Sequence, residues 1–431
     1  MLNRFNVESI IGYVYMTQIR EILVESNKWW KTSFKVDYKE RDVYKKISKY
    51  LKLAQIIAFT GLRRVGKTTL MFKIIQDYIK KGFNPKNILY FSFDEFKETD
   101  IREILNEYEK IVEKNLENEK YLVLLDEIQK LENWEEKLKR IYDVYGKNIK
   151  IIITGSESLF IKKKSKETLA GRIFEFKIET LTFKEFIKFK GKKFQNIKLY
   201  EKEIARLFEE YKLTQGFPEL VNIKDKEIIR KYVKESIIEK AIYRDIANLF
   251  NIKDVSILES LLNIFMENPG QIIELSELGK ELQITRQTLS NYIRYLEESF
   301  LIRKLYNYSR NRRKIERKLK KYYPTIISPN LLFKEDNYSK SKAFEGILIN
   351  QLNAEYFWRD PYKNEVDIVI DQDKPRPIEI KYGKIEIKGL LSFMKKFNVN
   401  EGYIISFNQE KNLEHGDKKI TITPAFKFLL Q

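Results

Sequence analysis

Compact apolar runs alternate along this chain with longer stretches in which apolar residues recur every three or four positions. From residue 41 the order is regular. ERDVYKKISKYLK (41–53) has helical spacing, IIAF (56–59) is a short apolar run suited to a buried strand, and TLMFKIIQDYIKKG (68–82) is helical up to Gly82. NILYFSF (87–93), YLVLLDE (121–127) and KIIITGS (150–156) repeat the strand pattern, separated by helical IREILNEYEKIVEKN (101–115) and NWEEKLKRIYDVYG (133–146). Continuous apolar strands alternating with helices predict an α/β fold with a parallel sheet covered on both faces.

The rhythm then changes. Only helical spacing remains from 183 to 250. Residues 254–305 predict three short helices and a hairpin, and beyond 340 strands and helices mix again, with a helix in SKAFEGILINQLN and strands in AEYFWRD, EVDIVID, RPIEIKYG and GYIISFN. In the first 40 residues, Trp29 and Trp30 are expected to anchor the segment to a neighbouring core.

Length and composition narrow the chemistry. A chain of 431 residues exceeds a single core and implies several domains. There is no cysteine and one histidine, His415, in a polar stretch. Disulfides, thiolate nucleophiles, Cys-held clusters and multi-histidine metal sites are excluded. Any hydrolysis must run on carboxylates, lysines, backbone amides and a hard metal ion. Without a long uncharged apolar run or a signal peptide, the expected location is the cytoplasm, with no membrane association. The net charge of +19 fits either a polyanionic partner or the lysine-rich composition of a hot-growing or AT-rich source.

One motif is specific. Gly61-Leu62-Arg63-Arg64-Val65-Gly66-Lys67-Thr68, followed by Thr69, fits G-x-x-x-x-G-K with Ser or Thr last, between a strand and a helix. The glycines let backbone N–H groups converge on phosphate oxygens, and the helix N-terminus adds favourable partial charge. Lys67 would neutralise phosphate charge and Thr68 would ligate Mg²⁺, so ATP and Mg²⁺ are the expected cofactors. Asp126 and Glu127 end the strand YLVLLDE, where Asp126 suits the Mg²⁺ shell and Glu127 suits polarisation of the attacking water. Thr154-Gly155-Ser156 ends the next strand; Ser156 would sense the γ-phosphate, or the triplet is a plain turn. Arg172 is either a finger that stabilises phosphoryl charge in a neighbouring subunit or a surface ion pair.

Two further regions carry candidate chemistry. In IELSELGKELQITRQTLSNYIRYLEESFLIRKL (273–305), Leu275, Leu278, Leu282 and Ile284 can line a helix–turn–helix core. Arg286, Gln287 and Arg294 would then lie on a recognition helix that reads DNA, unless the module only packs. Residues 303–321 hold ten Lys/Arg and one acid, with Arg310, Arg312, Arg313 and Arg317 among interleaved tyrosines. That composition suits a phosphate backbone or a solvated face. Toward the C-terminus, Glu345, Asp367, Glu379 and Lys381 follow the E…D…E-x-K order of restriction-endonuclease-like nucleases. Period two puts Glu379 and Lys381 on one strand face. Asp367 and Glu379 would bind Mg²⁺, Glu345 would complete its shell, and Lys381 would position water. A nuclease-like scaffold kept for binding alone fits the same residues.

Seven segments in preserved order, GLRRVGKTTL (61–70), LLDEIQKLENWE (124–135), IIITGSESLF (151–160), ETLAGRIFEF (167–176), LTFKEF (181–186), GFPEL (216–220) and the stretch from SKAFEG (341–346) to IEIKYG (378–383), resemble the AAA+ ATPases. More narrowly they are similar to a prokaryotic, largely archaeal, ATPase group with a restriction-endonuclease-like C-terminal domain. The resemblance implies a P-loop AAA+ core at 41–182 after an N-terminal extension at 1–40, and a helical lid at 183–250. It further implies a winged helix with its basic segment at 251–325 and a nuclease-like α/β domain at 335–431. It implies ATP hydrolysis and leaves the cellular role open. The phosphate loop, the acid pair and the basic segment point to a protein that acts on DNA, with a homo-oligomer as a further expectation; a switch that binds a protein partner is the alternative. One departure is the lid arginine: none of the usual sensor type stands out, Arg244 in YRD is no more than a candidate, and ATP-driven lid motion is less firmly implied than ATP binding.

Overall fold

The computed structural model describes residues 15–94, 99–155, 168–250, 252, 254–311, 313, 315 and 319–431, apart from the side chains of 248 and 249. The chain forms two compact units, the first ending at Glu179 and the second beginning at Thr180. Among the described residues no helix is long and apolar enough to cross a membrane.

The first unit is built on five parallel strands: β1 (Ile56–Thr60), β2 (Ile88–Ser92), β3 (Tyr121–Asp126), β4 (Ile149–Thr154) and β5 (Ile173–Lys177). Their order is β2-β3-β4-β1-β5. Every residue of β1 and β3 is buried, which is why these strands are apolar up to their last residues, Thr60 and Asp126, and do not alternate. The connecting helices are α1 (Asp42–Ser48), α2 (Lys67–Lys80), α3 (Ile101–Val112) and α4 (Trp134–Tyr145). Leu105 and Tyr108 of α3 and Trp134 and Leu138 of α4 pack against Val123, Leu125 and Ile151 of the sheet. Each such buried side chain contributes about 1.5–3 kcal/mol.

Strand β2 is an edge, and the preceding segment satisfies it. The Trp29 and Trp30 indoles both donate to the Ile88 carbonyl, at 3.1 and 2.8 Å. The buried Asn27 amide donates to the Tyr90 carbonyl and accepts from the Tyr90 N–H. The expected anchoring of the tryptophans is therefore observed, and it covers backbone that would otherwise template strand addition.

In the second unit, α5 (Phe183–Phe189) and α6 (Glu201–Thr214) precede a helical run from Lys226 to Phe250 that contains two π-type stretches, Tyr232–Ile238 and Lys240–Ile246. Then come α7 (Ser256–Glu267), β6 (Gln271–Ile272), α8 (Leu275–Glu281), α9 (Arg286–Glu298), β7 (Ile302–Asn307) and β8 (Lys320–Pro324). Helix α10 (Asn337–Gln351) leads into β9 (Tyr356–Arg359), β10 (Glu365–Val366), β11 (Ile368–Ile370) and β12 (Arg376–Lys381). The chain continues through α11 (Lys388–Phe397), β13 (Glu401–Ser406), β14 (Lys411–His415) and β15 (Lys418–Pro424).

Two mixed sheets result, ordered β10-β9-β7-β8-β6 and β11-β12-β13-β15-β14. The first crosses the boundary expected between 325 and 335, because β7 pairs in parallel with β9 at Tyr306–Tyr356. The segment expected to be one strand, EVDIVI, instead changes sheets at Asp367, between β10 and β11. Phe183, Phe186, Phe208 and Tyr211 of the expected lid share a core with Phe344, Ile347, Ile378 and Ile405, so these helices belong with the C-terminal strands.

Candidate functional site

Strand β1 delivers the chain into the phosphate loop, and the loop's backbone explains its glycines. Gly61 has φ 137°, and a Cβ there would stand 2.2 Å from the Ile178 carbonyl oxygen. Gly66 has φ 96° just before α2. Arg64 also adopts a left-handed conformation, at φ 61°. Leu62 and Val65 are buried, and Arg63, Thr68 and Thr69 complete the curl into the helix. The Lys67 ammonium is buried and donates to the Gly61 and Leu62 carbonyls, each at 3.0 Å. Arg41, missed by the sequence reading, pins the loop: it is 5% exposed and donates to the Val65 carbonyl at 3.0 Å and the Glu179 carbonyl at 2.8 Å.

Asp126 is the hub beside this loop. Its carboxylate accepts from the Thr68 hydroxyl at 2.8 Å, the Tyr90 phenol at 2.8 Å and the Thr154 hydroxyl. Burial, followed by the Asp126 charge, pushes the Tyr90 phenol pKa up. Thr154 also accepts from the Glu127 N–H at 2.9 Å, so β3 and β4 are tied together at their carboxyl ends. Glu127 sits at φ 52°, a left-handed conformation that side chains rarely adopt. Such strain costs of order 1–3 kcal/mol and recurs at functional sites. Its carboxylate accepts from the Gln129 amide at 2.5 Å. Ser156 lies outside the described residues. Thr68 and Asp126 are hard oxygen donors 2.8 Å apart, a set that fits Mg²⁺.

Arg172 stands at the opposite ends of the strands. Its carbonyl accepts from the Ile56 N–H at the start of β1, and its guanidinium pairs with Asp143 at 3.1 Å. Five residues of β1 separate it from the loop, roughly 17 Å of extended chain, so it is remote from the phosphate loop of its own chain. Arg244 is exposed.

A second cluster forms in the second unit where the chain changes sheets at Asp367. Asp367 and Glu379 are 8% and 7% exposed. Asp367 accepts from the Ile380 N–H at 2.7 Å, and Lys381 pairs with Glu379 at 2.7 Å on the same strand face. Glu345 comes from α10 and accepts from the Tyr323 phenol at 2.6 Å. The four residues expected from the sequence are thus brought into one electrostatic neighbourhood. Burial, then Glu345, raises the Asp367 pKa; burial, then Asp367, raises that of Glu379. Burial opposes the Lys381 charge, but Glu379 and Asp367 hold its pKa above the ordinary value. The second Glu379 oxygen, Oε2, is buried without a hydrogen-bond partner. Among the described residues no three acidic or imidazole groups are gathered closely enough to cage a metal. A Mg²⁺ held by one or two carboxylates plus water and phosphate oxygens needs no such cage, and an orphaned buried carboxylate oxygen beside a second acid fits it.

The third candidate region is split. Thr285 caps α9 by accepting from the Thr288 N–H, and Arg286, Gln287 and Arg294 lie on its exposed face. Gln287 reaches Asn291 at 3.4 Å, and Arg294 lies over the Tyr295 ring. Among its described residues, parts of the basic run at 303–321 are taken up in packing. Tyr308 is buried and bonded to Asp371, Arg310 donates to the Phe397 carbonyl, and Lys321 is 5% exposed. Arg313 is exposed, while Arg312 and Arg317 lie outside the described residues.

Comparison with known proteins agrees with the first unit. Residues 54–187 match the family model "AAA domain". Residues 205–325 and 342–427 match two models described as "Domain of unknown function", DUF8612 and DUF4143. The uncharacterized protein MJ1544 of Methanocaldococcus jannaschii is 29% identical over 86% of this chain and 87% of its own length. An uncharacterized protein of Haemophilus influenzae is 29% identical over 61% of this chain and 67% of its own. The uncharacterized protein Rv2008c of Mycobacterium tuberculosis is 22% identical over 79% and 73%. The crystal structure of Cdc6p from Pyrobaculum aerophilum overlaps 71% of this chain and 95% of its own, at 12% identity and a TM-score of 0.33, too loose a fit to add to the fold. The chain therefore contains an AAA-type domain on a five-stranded parallel sheet.

Proposed function

We propose that the chain binds and hydrolyses ATP in its first unit and acts on DNA, with a Mg²⁺-assisted phosphodiester-cleaving site in its second unit. The observation that carries the ATPase reading is the hydrogen-bonded line Thr68–Asp126–Thr154–Glu127 beside the phosphate loop. Lys67 leaves the carbonyls of Gly61 and Leu62 to meet phosphate charge. Thr68 and Asp126 would hold the cation, while Tyr90 and Thr154 keep the Asp126 carboxylate in place. Glu127 exchanges Gln129 for the attacking water and takes its proton. Mg²⁺ would supply neutralisation of phosphate charge. In a homo-oligomer Arg172 would serve a neighbouring copy's phosphates.

For DNA, α7 to α9 with β6 to β8 are taken as a winged helix, whose exposed Arg286, Gln287 and Arg294 meet base edges and phosphates. At the C-terminal cluster Asp367 and Glu379 would hold Mg²⁺, with Glu345 completing the shell and Lys381 orienting water against the scissile phosphate. Two measurements test this reading. ATP turnover should rise with duplex DNA in a salt-sensitive manner. Mg²⁺-dependent cleavage of varied DNA substrates, run with ATP, should vanish in Lys381→Ala. Unchanged turnover and no salt-sensitive binding would remove the DNA part.

The packing of Tyr308, Arg310 and Lys321 favours a second reading, a nucleotide-dependent switch that binds a protein partner. A complex retained at high salt and indifferent to charge reversal at Arg312 and Arg313 would support it.

A further inference from the structure

Strand β8 lies outside every motif named for the C-terminal cluster, yet two of its side chains reach that cluster. Lys321 is 5% exposed and pairs with Glu365 at 2.5 Å. Asp367, Glu365 and Glu345, in that order, are the charges that most favour its ammonium. Tyr323 is fully buried and donates its phenol proton to Glu345 at 2.6 Å. Its ring is fixed from behind: a Cβ on Gly270 would stand 2.6 Å from the phenol oxygen. The remaining oxygens of these two acids face outer cations, Lys342 with Glu345 at 3.6 Å and Arg359 with Glu365 at 3.6 Å. Among the described residues, the inner faces of four carboxylates (Glu345, Glu365, Asp367 and Glu379) meet two cations, Lys321 and Lys381, and Glu379 Oε2 has no hydrogen-bond partner.

We infer that Lys321 and Tyr323 are positioning residues of the C-terminal site: Lys321 is its internal counter-cation and Tyr323 fixes the Glu345 carboxylate. This rests on the reading of that cluster as a divalent-cation site, though not on its cleaving DNA. The two roles have opposite consequences for a cation. Lys321 repels it, so removing the ammonium makes the acids a stronger trap. Tyr323 holds an acid of the shell in place, and outer hydrogen bonds of this kind are worth about 10–100-fold in metal affinity.

The experiment is Mn²⁺ titration of the full chain without nucleotide, read by electron paramagnetic resonance, with Glu379→Gln as the site control. Lys321→Met should bind Mn²⁺ about tenfold more tightly or better, and Lys321→Arg should return to the parental affinity. Tyr323→Phe, which keeps the ring, should bind about 10–100-fold more weakly. Should Lys321→Met fail to fold, Tyr323→Phe decides alone. Affinity unchanged in Tyr323→Phe, or shifted in the same direction in both variants, overturns the inference even where DNA is cleaved. The expected opposite shifts without any cleavage uphold it and refute the nuclease reading. Mn²⁺ binding that Glu379→Gln leaves intact overturns both.

Discussion

Asp126 and Glu379 are both buried acids on interior strands of their sheets, and their surroundings differ in kind. Asp126 accepts from three hydroxyls, so its charge is matched before any ligand arrives. Glu379 has one oxygen on Lys381 and the other on nothing, with Asp367 close enough to raise its pKa. The first site is satisfied as it stands; the second is frustrated, and a proton or a cation would relieve it. Buried acids therefore divide by what neutralises them, which sequence proximity does not reveal.

The largest effect expected is in the satisfied site. Glu127→Gln should slow ATP turnover by about 10²–10³-fold while nucleotide affinity, followed with a fluorescent ATP analogue, stays near the parental value. Equal turnover would remove Glu127 from its role and leave Asp126 as a structural hub only.

The frustrated site should respond next, to pH. Asp367 is raised to about 6, and Glu379 is raised as well, both first by burial. A folded-state acid with a raised pKa binds its proton more tightly than the unfolded chain does. Its stabilisation is complete below the unfolded value and is lost as pH rises through the folded one. In chelator, protection of β12 amides from hydrogen exchange should fall by about 2 kcal/mol between about pH 4.5 and about pH 7.5. Mg²⁺ should restore it at the higher pH. A rise in protection with pH would mean that the acids are ionised and matched, erasing the contrast.

A pair of isosteric changes sharpens the same contrast at about 1–2 kcal/mol. Asp126→Asn replaces an acceptor of three hydroxyl bonds with a weaker one and should lower the melting temperature of the first unit. Glu379→Gln removes a charge that only Lys381 matches and should leave the metal-free second unit unchanged or more stable. Calorimetry in chelator separates these outcomes, and destabilisation by both would show the two acids to be equivalent.

The legibility of the two sites follows the same division. The strand, glycine loop and helix from Ile56 to Lys80 are contiguous, so local pattern was enough to find them. Thr154 and Tyr90 were not assigned to Asp126 because their contacts depend on β4 and β2 flanking β3, a long-range fact. Glu379 and Lys381 were legible as period two on one strand. Lys321 and Tyr323 were hidden, because 303–321 reads as a basic surface and the expected domain boundary separated β8 from β12. The sheet shared through β7 and β9 carries β8 across that boundary to β10, from which the chain passes at Asp367 into the sheet that holds β12. Tyr308 shows the same limit: composition marks an aromatic among cations, and only packing against Trp358, Phe393 and Phe397 shows it to be core.

The smallest effect expected concerns how the satisfied site keeps its shape. Arg41 spans two carbonyls, Val65 in the loop and Glu179 after β5, with separate guanidinium nitrogens. A lysine keeps the charge but lacks the planar fork, so Arg41→Lys should lose one of the two bonds. One hydrogen bond is worth about 1 kcal/mol, or about a fivefold rise in the nucleotide dissociation constant. The loop tether acts before chemistry, so turnover at saturating ATP should stay close to parental. A fall in saturated turnover with unchanged affinity would instead place Arg41 among the groups that act on the transition state, and the loop would then be less complete before nucleotide arrives than its hydrogen bonds imply.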